Sequence, residues 1–123
     1  MSSTVITAQC IVGESEGHAF GPWDWAENTT YPEFIGVAIV IPPLTVVHLI
    51  GSGSSKIPSV ATAAFVYMRA TSKIHVDITG VDPTTSSPSF AKAFLMSSCV
   101  VANIRVLNPL TVAATIFVVL GGE

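Results

Sequence analysis

Reactive side chains are few in this sequence, and their spacing limits what they could do together. His75 and Asp77 stand two apart in the alternating run Lys73-Ile74-His75-Val76-Asp77-Ile78-Thr79. In an extended strand residues two apart share a face, so a base and its orienting carboxylate would lie side by side. Serines are plentiful and could supply a third member. With nothing else gathered around it, the pair reads as the polar face of a solvated strand, and no catalytic residue is assigned. His18, His48 and His75 are dispersed and do not stand at ligand spacing from cysteine, so no metal site is expected. The run Gly51-Ser52-Gly53-Ser54-Ser55-Lys56 resembles a phosphate loop only superficially. It lacks the Gly-Lys-Ser/Thr ending that cradles phosphate, and no cofactor is implied.

The elements that would carry these side chains are strands. Val, Ile and Thr supply 39 of the 123 residues, which favours extended structure throughout. Turn signals divide the chain into expected strands at Thr4 to Val12, Phe34 to Ile41, Leu44 to Ile50, Val60 to Ala70, Lys73 to Thr79, Cys99 to Leu107 and Thr111 to Leu120. Thr71-Ser72 is expected as a tight hairpin turn. Ser89 to Met96 fits either a short strand or a helical turn. The pattern predicts an all-β fold: a single β-sandwich over 1–123, jelly-roll-like, with seven or eight strands. Residues 13–33 are expected to be an irregular acidic arm or long loop containing both tryptophans.

Composition points to what such a fold would do. Half the chain is apolar and only 11% is charged, where an ordinary soluble domain carries roughly 25% charged residues. A domain of this size exposes much of its surface, so apolar strand faces are expected to meet other subunits. In the last strand Val112, Ala114, Ile116, Val118 and Leu120 face one way and Ala113, Phe117 and Val119 the other. A strand apolar on both faces is buried on both faces. The acids Glu14, Glu16, Asp24, Glu27 and Glu33 give the first 33 residues a charge of −5, and the remainder carries +2. Five scattered basic residues argue against nucleic acid as a partner. The longest apolar stretch, Phe34 to Ile50, is broken by Pro42-Pro43 and is not expected to span a membrane. No targeting segment is evident at the start of the chain. Cys10 and Cys99 read as small apolar side chains of a reducing compartment, with a disulfide as the lesser alternative.

The most distinctive patch is Phe20-Gly21-Pro22-Trp23-Asp24-Trp25-Ala26-Glu27, followed by Tyr31 and Phe34. Its aromatics could anchor an arm in a neighbour's apolar groove, stack on a sugar ring, or fold back over the sandwich. The C-terminal half, through Ala102-Asn103-Ile104-Arg105-Val106-Leu107-Asn108-Pro109, Thr111-Val112-Ala113-Ala114-Thr115-Ile116 and Val118-Val119-Leu120-Gly121-Gly122, resembles the closing hairpin of small virion proteins of tailed bacteriophages. That resemblance implies a non-enzymatic capsid decoration or cement subunit located in the virion. It would be a homo-oligomer, dimer or trimer, bound to a capsid or other virion protein. Trp23, Trp25, Tyr31, Phe117 and Val119 are its expected interface residues. The alternative is a glycan- or receptor-binding module of a phage fibre or spike.

Overall fold

Alternating β-branched residues between proline, glycine and asparagine turns give strands and no helix among the described residues. The computed structural model describes residues 3–13 and 19–123, with side chains and burial described from Tyr31 onward except at Ser98. The chain is all-β, as its composition predicts, and divides into two compact units, Met1–Tyr31 and Pro32–Glu123.

The first unit is an antiparallel hairpin of β1 (Ser3–Gly13) and β2 (Ala19–Thr30). Residues 19–30, expected to be irregular, therefore form a strand. Pro22, a residue type disfavoured inside strands, sits at a bulge. Cys10 pairs with Trp23 and Val12 with Phe20, so Gly21 and Pro22 together oppose Ile11. At a bulge the missing proline N–H removes no ladder bond. Beyond it the aromatic and Thr content favours the pairing.

The second unit holds eight strands: β3 (Glu33–Ile41), β4 (Val46–Ile50), β5 (Ala63–Ala70), β6 (Ile74–Asp77), β7 (Ser89–Phe90), β8 (Phe94–Val101), β9 (Ile104–Leu107) and β10 (Ala114–Gly122). They form two antiparallel sheets, ordered β3-β10-β5-β8 and β4-β9-β6-β7, packed as a sandwich. Between them lie Ile41, Leu49, Met68, Ile74, Ile104, Ile116 and Leu120, all fully buried. Every link except β6–β7 carries the chain from one sheet to the other.

That crossing corrects three local expectations. Thr71-Ser72 is not a hairpin turn, because β5 and β6 belong to different sheets. Thr71 is instead pinned to β10, its N–H donating to the Thr115 carbonyl at 3.0 Å and its hydroxyl accepting the Thr115 N–H at 3.1 Å. The expected strand Cys99 to Leu107 breaks at Ala102-Asn103. Val101 and Ile104 stand three apart and would face opposite ways in one continuous strand. The break lets both face the core, where each is buried. Finally, β9 and β10 do not form a closing hairpin, since they too lie in opposite sheets.

Asn108 fixes that last crossing. Wholly buried, its amide nitrogen donates to the carbonyls of Val112 at 2.8 Å, Ile41 at 3.2 Å and Pro42 at 3.3 Å. Its side-chain oxygen accepts the Leu110 N–H at 3.0 Å. One side chain thus ties the β3–β4 corner to the β9–β10 link, and β10 starts at Ala114 rather than Thr111. Val112, expected to face the core, is consequently exposed.

Candidate functional site

The two outer faces of the sandwich differ in kind. In β10 the inward residues Ala114, Ile116, Val118 and Leu120 are buried, and Phe117 and Val119 point outward, as the alternation predicts. Register extends that outward face across the sheet. Val119 lies opposite Gly36 on one side and Tyr67 on the other, and Tyr67 lies opposite Leu95. Phe117 lies opposite Ala38 and Arg69, and Thr115 opposite Val40. The result is a contiguous apolar surface on which Phe34 is 47% exposed, Val40 62%, Leu95 48% and Phe117 40%. Arg69 is the one charge in these rows, and its guanidinium lies over the Phe117 ring, 5.2 Å from the centroid.

Along the edge at β3 the apolar character continues around the rim. Ile35, Val37 and Ile39 face inward but are only half-buried. An apolar surface of this continuity is uncommon on a lone soluble domain.

The second sheet turns a polar row outward instead. His48, Arg105 and Asp77 are cross-strand neighbours on β4, β9 and β6. The link between β6 and β7, residues 78–88, folds back over them. Asp77 starts this fold by accepting the N–H groups of Thr79, Gly80 and Val81 and the Thr79 hydroxyl. Burial works to raise the Asp77 carboxyl, but the bonds from Val81, Thr79 and Gly80 outweigh it and hold the carboxyl below its ordinary value. His75, expected to be solvated, is buried beneath the same link, with Nδ1 2.8 Å from the Ser87 carbonyl oxygen. Asp77 is occupied by backbone N–H groups, so these two side chains are structural in their contacts rather than a paired base and acid.

Sequence reading missed the constellation that the fold does assemble. Asp82 Oδ1 accepts from His48 Nε2 at 3.0 Å and from Arg105 Nη1 at 2.8 Å. These bonds, His48 first and then Arg105, hold the Asp82 carboxyl below its ordinary value. On the other side of the ring His48 Nδ1 lies 3.0 Å from Ser52 Oγ. Asp82 stands 34 residues from His48, which is why no local pattern announced it. The readable signal was His48 four residues before Ser52, with the strand ending at Ile50 and Gly51 following it. The sequence also contains a Gly-x-Ser-x-Gly run at Gly13-Glu14-Ser15-Glu16-Gly17, of which residues 14–17 lie outside the described part.

The other expected interface residues fare differently. Tyr31 is buried in the single chain. Trp23 and Trp25 lie on β2, where their side chains are outside the described residues. Cys10 is likewise outside them, and Cys99 Sγ lies 3.7 Å from the Ala63 carbonyl oxygen. Among the described residues His, Cys, Asp and Glu do not gather in groups of three, and no helix is long and apolar enough to cross a membrane. Comparison of the chain with protein-family models, with curated proteins and with solved structures gives no match in any of the three.

Proposed function

We propose that the chain is a structural subunit of a virion, a decoration or cement protein whose outer β3-β10-β5-β8 face is covered by further copies and by a capsid protein. The observation carrying this reading is that face itself: rows of apolar side chains crossed by a single charge. A fully buried side chain of the size of Leu95 or Phe117 contributes about 1.5–3 kcal/mol. Association costs on the order of 4–15 kcal/mol. Four such residues therefore only approach break-even, and the flanking rows and the β3 rim must join the contact for it to persist.

Strand order supports the same reading. The sheet orders β3-β10-β5-β8 and β4-β9-β6-β7, with every link but β6–β7 crossing between the sheets, favour reading the sandwich as a jelly roll. That architecture recurs in viral capsid and in lectin domains. The lectin use sustains a second reading, a glycan- or receptor-binding module of a fibre or spike, in which Trp23 and Trp25 stack on a sugar.

Native mass spectrometry of the purified chain tests the first reading. A dimer or trimer is expected, and a monomer at all concentrations contradicts it. Glycan-array binding abolished by Trp23→Ala would favour the second.

A further inference from the structure

We propose that Ser52 is an activated nucleophile, with His48 as its general base and Asp82 as the residue that positions His48, and that the site accepts small acyl esters. The site lies where the turns 51–55 and 102–103 and the link 78–88 meet.

Proton bookkeeping along the relay has only one solution when His48 is neutral. Asp82, paired with Arg105, is ionised and can only accept, so His48 Nε2 must carry the ring proton. His48 Nδ1 is then a bare acceptor, and the Ser52 hydroxyl must donate to it across 3.0 Å. Ser52 Oγ in turn accepts the Ser54 N–H at 3.2 Å, and the Ser54 hydroxyl lies 3.2 Å away with its own proton to give. The serine oxygen thus gives its proton toward a base while receiving bonds that would stabilise it as an alkoxide. Nucleophile to base and base to positioning carboxylate are both within hydrogen-bond reach, the geometry by which such relays are recognised whatever their chain order.

The turn is built to hold Ser52 still. Gly51 sits at φ +92°, and a Cβ there would collide with the Ala102 carbonyl and the Asn103 side chain. Ser52 exchanges bonds with Ser55 at both its N–H, 2.8 Å, and its carbonyl, 2.7 Å. The turn is closed behind them by Lys56 N–H to the His48 carbonyl and Ile57 N–H to the Leu49 carbonyl, both 2.9 Å. A groove of about 320 Å³ runs along one side, lined by Val40, Val46, His48, Ser54 and Lys56. A second hollow of about 450 Å³ is lined by Gly51, Ser52, Gly53 and Pro58. Volumes of this order suit a small ligand. Gly53 has open space beside it, so a small acyl group can reach the Ser52 turn from that side.

The reaction is a two-stage acyl transfer. Ser52 Oγ bonds to the ester carbonyl carbon as its proton passes to His48 Nδ1. The carbon–alkoxide bond then breaks, and the alkoxide leaves with the Nδ1 proton as an alcohol. Water adds to the acyl-serine, giving a proton to Nδ1. Ser52 departs, recovers that proton, and a carboxylic acid is released. Nothing but ester and water is consumed.

The test is labelling of the full chain by a fluorophosphonate probe, followed by intact mass and peptide mapping. A single adduct on Ser52 is expected, absent in Ser52→Ala. His48→Gln should slow it by about 10²-fold or more, within the usual range for loss of a general base. Asp82→Asn should slow it as well. The proposal is overturned by absence of an adduct, by label spread over Ser54, Ser55 and Ser86, or by a rate unchanged in a folded His48→Gln protein.

Discussion

The Arg69 guanidinium lies over the Phe117 ring on the outer face of the sandwich, 5.2 Å from its centroid, the two residues being direct cross-strand partners on β5 and β10. The sole charge of these rows thereby lies along an aromatic face while remaining exposed. Cation–π contacts at exposed sites contribute about 0.5–1 kcal/mol. Arg69→Ala is expected to lower the unfolding free energy by that amount, as measured by urea titration at a fixed protein concentration. A loss several times larger would mean that Arg69 holds more than this ring.

Asn108 is the buried polar joint of the second unit. Asn108→Ala leaves the carbonyls of Ile41, Pro42 and Val112 and the N–H of Leu110 without their partner. Unsatisfied buried groups cost about 1–3 kcal/mol each. Because water can reach some of these groups once the joint loosens, the expected total is about 3 kcal/mol, read as a lowered midpoint in thermal unfolding. Asn108→Asp should also destabilise, since a carboxylate cannot donate.

Gly51→Ala tests the turn that carries Ser52. The substitution meets both a left-handed backbone and an occupied space. Backbone strain of this kind costs on the order of 1–3 kcal/mol, and the collision adds to it. A measured loss of at least about 2 kcal/mol is expected, with Ser52 labelling reduced even where the protein stays folded.

Acid should loosen the link 78–88. The carboxyls of Asp77 and Asp82 are both held below the ordinary value of 3.8. A carboxyl depressed in the folded state gives stability that is complete above the unfolded value. That stability is lost as pH falls through the lower folded value. Unfolding stability is therefore expected to be insensitive to these groups near neutrality and to decline below about pH 4. Asp77→Asn should be less stable at neutral pH and show a shallower decline, measured by denaturant titration across the acid range.

How much of this was readable depends on the range of the interaction. β10 was legible because Ile116 to Leu120 alternate under one rule of period two, and the same rule placed Phe117 and Val119 outward. Strand existence was legible almost everywhere. Which sheet a strand joins was not: Thr71-Ser72 and Asn108-Pro109 announce that the chain turns, whereas the destination is set by distant partners such as Thr115 and Ile41. β2 was obscured by Gly21-Pro22, whose meaning reverses once Ile11 is known to stand opposite. The His48–Asp82 contact was illegible for a related reason. It depends on Asp77 gathering the N–H groups of Thr79, Gly80 and Val81, which aims the following residues back across the sheet.

Assembly through the apolar face is most directly examined by sedimentation equilibrium of the native chain beside Phe117→Asp. Phe117 is 40% exposed in the single chain, so a carboxylate there costs little to the isolated fold but would be desolvated in an interface. The expected result is a native dimer or trimer and a Phe117→Asp monomer with unchanged far-ultraviolet circular dichroism. A native chain that stays monomeric up to its solubility limit, or a variant that associates as the native chain does, would contradict the proposed role.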